Sequence, residues 1–79
     1  MRATVAVRPK PGILDPQGEA VRGSLQHLGF DVTEARVGRL VELELAATDA
    51  AAAKVEVERM CEQLLANPLI ETYEIEIEP

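Results

Sequence analysis

The amino-acid sequence predicts an α+β domain whose elements run strand, helix, strand, strand, helix, strand. Three observations carry that expectation. Near both ends and in the middle of the chain, apolar residues alternate with polar ones, as in strands with one buried face. Between those stretches they recur every three to four residues, as on a helix with one buried stripe. The pairs Asp15-Pro16, Thr48-Asp49 and Asn67-Pro68 stand where helices begin or end.

In the first strand Ala3, Val5 and Val7 alternate with Arg2, Thr4 and Arg8, until Pro9-Lys10-Pro11-Gly12 stops it. Asp15 then offers a side-chain acceptor as N-cap, and Pro16 takes the first helical position, where a missing N–H does no harm. Val21, Leu25 and Leu28 line one face of this first helix, and Gly29 supplies a left-handed stop. Gly18 and Gly23 each weaken it by about 1 kcal/mol relative to alanine, which points to backbone packed closely against the sheet or a partner.

From Thr33 to Leu45 the odd positions carry Thr33, Ala35, Val37, Arg39, Val41, Leu43 and Leu45, and the even ones Glu34, Arg36, Gly38, Glu42 and Glu44. A two-residue turn at Gly38-Arg39 would set Ala35 opposite Glu42 and bury carboxylates. Two arrangements keep the apolar face intact: a three-residue turn at Gly38-Arg39-Leu40, which is preferred, or one long bent strand with Gly38 as the kink.

Thr48-Asp49 caps the second helix, with Ala53, Val57, Met60, Cys61 and Leu64 as its apolar stripe and Asn67-Pro68 as its end. Val55 falls outside the stripe and Leu65 on its margin, so both are candidates for contact with another chain. The last strand, Leu69 to Ile77, sets Tyr73, Ile75 and Ile77 on one face and Thr72, Glu74, Glu76 and Glu78 on the other. This order is that of the ferredoxin-like β-α-β-β-α-β fold, an antiparallel sheet with two helices on one face. Because that fold hosts many functions, it indicates little about this one.

The 79 residues suffice for one domain, 1–79, which withdraws only about 60% of its unfolded surface from water. Phe30 and Tyr73 are the only aromatics, so the core is thin, and burial against a second copy or a partner is the expected remedy. With Cys61 alone there is no internal disulfide, and a reduced packing residue in a reducing cytoplasm is expected. Met1-Arg2 leads straight into strand sequence, without the apolar run of a signal peptide or a membrane span. The net charge of −6 argues against nucleic acid as a partner. Arg2, Arg8 and Lys10 near the start and Glu71, Glu74, Glu76 and Glu78 near the end suit opposite charges meeting across neighbouring strands.

Little in the sequence resembles an active site. His27 and Cys61 have no partners at metal-ligand spacing, the hydroxyl residues lack a His and Asp context, and the glycines fit no phosphate-binding loop. No catalytic, cofactor-binding or metal residue is therefore assigned. Contact residues are better supported. Arg8-Pro9-Lys10-Pro11-Gly12 makes a stiff, cationic projection that loses little entropy on docking, and Arg36 and Arg39 flank Gly38 in a second such loop. The candidate contacts are Arg8, Lys10, Pro11, Gly12, Arg36, Gly38 and Arg39.

Three segments taken together resemble a known family: Lys10-Pro-Gly-Ile-Leu-Asp-Pro-Gln-Gly18, Arg36-Val-Gly-Arg39 with Glu42-Leu-Glu44, and Met60-Cys-Glu-Gln-Leu-Leu-Ala-Asn-Pro68 with Ile70-Glu71 and Tyr73-Glu74. They look like the small PurS-type subunit of phosphoribosylformylglycinamidine synthase, the purine-biosynthesis amidotransferase, over nearly the whole chain. The resemblance implies a non-catalytic subunit that bridges a glutaminase subunit and an ATP-dependent synthetase subunit and assists ammonia transfer. ATP and Mg are implied for the synthetase partner, none for this chain, and a homodimer or tetramer is implied. The family pattern favours Lys where Arg39 stands and an acidic residue where Thr72 stands, which matters at position 39 if that side chain meets a planar anion. The alternative from another class is a ferredoxin-like dimer that senses a small molecule.

Overall fold

Alternation and caps act as expected through most of the chain. The computed structural model describes all 79 residues, Met1–Pro79. Strand β1 (Arg2–Pro9) is the middle of a three-stranded antiparallel sheet, flanked by β2 (Arg39–Glu44) and β3 (Glu71–Glu78). Helix α1 (Pro16–His27) lies between β1 and β2, and α2 (Ala50–Met60) between β2 and β3. Asp15 caps α1 by accepting from Gly18 N, and Asp49 caps α2 by accepting from Ala52 N. Gly29 takes the left-handed φ of +97° that closes α1.

The register places Val5 between Val41 and Ile75, and Ala3 between Leu43 and Ile77, so one sheet face is apolar as far as Val7, which stands between Arg39 and Tyr73. Helix α2 lies on that face, and Ala3, Val5, Val7, Val57, Cys61 and Ala66 form the buried cluster. Fully burying each valine side chain contributes about 2 kcal/mol, so few residues hold the fold together. The opposite face carries Arg2, Thr4, Ala6 and Arg8, flanked by Glu42, Glu44, Glu74, Glu76 and Glu78. Charge pairs across it: Arg8 lies 3.1 Å from Glu74 of the last strand as expected, whereas Arg2 pairs with β2 instead, 3.8 Å from Glu42 and 3.6 Å from Glu44.

Details of the expected arrangement differ. Thr33 to Val37 is not a paired strand: between Asp31 and Gly38 no backbone group bonds to another backbone group. There is no turn at Gly38-Arg39-Leu40 either, because Arg39 and Leu40 already pair with Val7 and Ala6. The segment is an arm that leads straight into β2, nearer to the alternative of one long strand. Helix α1 contributes nothing to the core cluster, only its Gly18 is buried, and Val21 and Leu28 of its stripe are exposed. Within one chain, therefore, only α2 covers the sheet face.

The molecule is correspondingly long, 48 × 24 × 14 Å, with a radius of gyration of 15.7 Å. A compact chain of this length would have about 12 Å.

The stripe of α2 also ends differently. Residues Cys61–Leu65 form one π-helical turn, closed by Ala66 N donating to Cys61 O at 3.0 Å. Five residues along a regular α-helix turn a side chain about 140° away. The wider turn returns Ala66 to the core beside Cys61 and leaves Leu64 exposed. Leu65 packs against the cluster, whereas Val55 is exposed. No helix is long and apolar enough to cross a membrane.

Candidate docking surface

The end of the sheet where β1 stops gathers the cationic loops. After Pro9 the chain turns, with Lys10 N donating to Ile70 O at 2.8 Å, Ile13 N donating to Lys10 O at 3.2 Å, and Gly12 at a φ of +83°. That φ is left-handed and favours glycine. Arg36, on the arm, reaches back to this turn. Its Nη2 donates to Pro9 O and to Lys10 O, both at 2.7 Å, while Nη1 lies 3.6 Å from Glu34.

Asp15 makes a second tie. One carboxylate oxygen accepts from Gly18 N at 3.0 Å and the other from Val37 N at 2.9 Å, so the helix cap also anchors the arm. The Val37 bond, the Gly18 bond and nearby Arg36 hold the Asp15 carboxyl below its usual range. The arm comes so close that a Cβ on Gly18 would collide with the Ala35 carbonyl and with Asp15 itself. Gly38 lies as tightly against the Val7 carbonyl.

Arg8, Arg36, Gly38 and Arg39, read from two separate loops, line one open groove of about 380 Å³ with Pro9 and Leu40. Lys10, Pro11 and Gly12 do not line it; they form the adjacent turn that Arg36 holds. Arg39 is less free than its loop position suggested, because its guanidinium donates to both oxygens of Glu71 and to Leu65 O. Leu40 was missed, although its even position among Glu42 and Glu44 marks it as an apolar residue on the open face. Ile13, Leu14 and Ile70 are further exposed apolar residues at this end, around a second recess that Gly38 and Arg39 also line.

No group of three or more His, Cys, Asp or Glu side chains is placed to hold a metal ion. Cys61 is fully buried and burial pushes its thiol up, which suits packing rather than nucleophilic chemistry. His27 is exposed in the last turn of α1. The side chains at this end can thus hold a partner by charge and apolar contact.

The model of the PurS family, described as phosphoribosylformylglycinamidine (FGAM) synthase, matches residues 2–79. The chain belongs to the PurS family. Subunit PurS of phosphoribosylformylglycinamidine synthase from Synechocystis sp. is 47% identical over 74 residues, 92% of this chain and 74% of that protein. The subunit from Methanocaldococcus jannaschii is 38% identical over 78 residues, 98% of this chain and 94% of that protein. Among solved structures, PurS of B. subtilis superposes with a TM-score of 0.88 at 39% identity, covering 99% of this chain and 98% of that one. A chain in the structure of PurLQS from Thermotoga maritima gives 0.86 at 32% identity, covering 95% and 93%. The arm that departs from a paired strand and the α1 that leaves the sheet thus stand in a chain whose likeness to PurS structures spans nearly its full length.

Proposed function

We propose that this chain is the small, non-catalytic subunit of phosphoribosylformylglycinamidine synthase in purine biosynthesis, bridging a glutaminase subunit and an ATP-dependent synthetase subunit. The near end-to-end likeness to PurS subunits, one of them within a PurLQS assembly, carries this reading. ATP and Mg²⁺ belong to the synthetase partner, and the setting is the cytoplasm. The chain's contribution is contact: it holds the two enzymes so that ammonia released from glutamine passes between them before water protonates it.

A second copy completes the domain. Val21, Leu28 and Phe30 are 41, 71 and 59% exposed along α1 and the residues after it, and the arm's backbone is paired with no other strand. Apolar surface and an open backbone edge of this kind are covered by association, and a dimer supplies the burial that a thin core lacks. Light scattering on the chain alone and mixed with both enzyme subunits, with ATP and glutamine present, tests the proposal. A dimer that joins a three-component complex is expected; a mixture in which this chain always elutes alone contradicts it.

A further inference from the structure

We infer that two copies exchange their arms: residues 33–37 of each chain lie antiparallel against the outer edge of β2 in the other, and each α1 covers the β2 side of the other's sheet. The inference rests on the dimer proposed above and specifies which segments the copies share. Its first support is the opened hairpin. The alternation from Thr33 to Leu45 suits a three-residue turn at Gly38-Arg39-Leu40, which would fold the arm back onto β2 of its own chain. Instead the arm runs straight into β2, so the β2 edge it would occupy is free and the arm has no strand beside it. The same segment of a second copy restores the contacts of the closed form, a low-cost route to a dimer.

The second support is the direction of the backbone groups. Leu45 N donates to Met1 O at 2.7 Å and Met1 N to Leu45 O at 3.3 Å, so odd-numbered residues here turn theirs towards β1. Leu40, Glu42 and Glu44 turn their N–H and C=O to the free edge. Val37 N also turns inward, to Asp15, which leaves Arg36 and Glu34 outward on the arm. Thr33 to Glu44 contains no proline or lysine of the kind that blocks edge pairing.

The third support is register. Pairing as in the closed three-residue turn sets Val37 against Val41, Ala35 against Leu43 and Thr33 against Leu45 on the apolar face, and Arg36 against Glu42 on the other. Glu34 meets Glu44, whose charge Arg2 and the N-terminal amine already balance, and the two-fold axis passes Arg39, balanced by Glu71. Helix α2 lies against β3, and Val41, Leu43 and Leu45 on the β2 side of the same face are only half-buried. The exposed Val21 and Leu28 of α1 supply the apolar stripe that this side lacks.

Thiols at positions 34 and 44 test the exchange. Both glutamates are exposed, and along one extended strand they stand about 33 Å apart, so no disulfide joins them within an open chain. Across the exchanged pair they oppose each other at about 5.5 Å between Cα atoms, within disulfide reach. Cys61 is fully buried and does not compete. The chain carrying Glu34→Cys and Glu44→Cys is oxidised and compared with each single variant on a denaturing gel and by peptide mapping, with native mass from light scattering. The double variant is expected to double its denatured mass through bridges from 34 to 44, and the single variants to stay at the mass of one chain. A bridge from 34 to 44 inside one chain means that the hairpin closes on itself and overturns the exchange. A native dimer without that bridge also overturns it, while the dimer stands on another surface. A native monomer without it overturns both. The subunit reading is independent of all these outcomes, because binding to the two enzymes is measured separately.

Discussion

The Arg39 guanidinium holds both oxygens of the Glu71 carboxylate, at 2.7 and 3.0 Å, across 32 residues of sequence. Glu71 also accepts from Asn67 N at 2.7 Å, and Arg39 also donates to the Leu65 carbonyl. One ion pair thus joins the start of β2, the start of β3 and the chain leaving the π-helical turn. Its hydrogen bonds hold the Glu71 carboxyl below its usual range and raise Arg39 further. Arg39 serves the fold before it serves any partner.

Replacing Glu71 by Gln is therefore expected to destabilise the chain by about 1 kcal/mol near neutral pH, a modest figure because Arg39 is half exposed. The sign of the pH dependence follows from the lowered carboxyl. Its contribution is fully present above the ordinary value of 4.5 and disappears as pH falls through the lower folded-state value. Denaturant melts should show a gap between wild type and Glu71→Gln at pH 7 that closes in acid. A gap independent of pH would remove the ion pair as its cause.

Gly18 and Gly23 lie in the same helix, and alanine should act oppositely at the two. At Gly18 a Cβ meets the Ala35 carbonyl, so the arm must move, at a cost of about 2 kcal/mol. At Gly23 a Cβ meets nothing within 4 Å, and the better helix former should stabilise by about 0.5–1 kcal/mol. Thermal melts of the two variants check this; equal shifts would contradict the close approach of the arm.

Asp15 and Asp49 both cap helices, but only Asp15 also holds the arm, through Val37 N. Asp15→Ala should accordingly lower the melting temperature more than Asp49→Ala and speed hydrogen exchange at the Val37 amide. Equal effects of the two substitutions would mean that the tie to Val37 adds nothing to the cap.

The apolar stripe left open on α1 leads to a further expectation. Leu28→Glu combined with Phe30→Ser should shift the chain from dimer to monomer in light scattering and leave the α2 core intact. A dimer of unchanged affinity would place the second copy on another surface.

Much of the fold is legible in the sequence because its determinants are local. The alternation of Ala3, Val5 and Val7, the Asp15-Pro16 cap and the stripe of Ala53, Val57 and Cys61 all lie within a few residues of what they specify. What the sequence conceals depends on distant or external partners. Thr33 to Val37 has strand alternation, but a strand forms only where a neighbouring strand receives it, and no strand of this chain pairs with that arm. The pairing of Arg39 with Glu71 follows from the register of β2 and β3 against β1, which spacing alone does not determine. Arg8 and Arg36 could be recognised as contact residues by type, yet their standing beside one groove depends on Gly38 lying close against the Val7 carbonyl. The π-helical turn, which exchanges Leu64 for Ala66 in the core, has no period that distinguishes it from the α-helix before it.

The account stands on this chain being needed to couple glutamine hydrolysis to amidine formation. The most direct measurement is the rate of glutamine-dependent phosphoribosylformylglycinamidine formation by the glutaminase and synthetase subunits, with ATP and Mg²⁺, with and without this chain. The account predicts that the glutamine-dependent rate collapses when the chain is omitted, while the rate with added ammonia persists. An unchanged glutamine-dependent rate in its absence would contradict it.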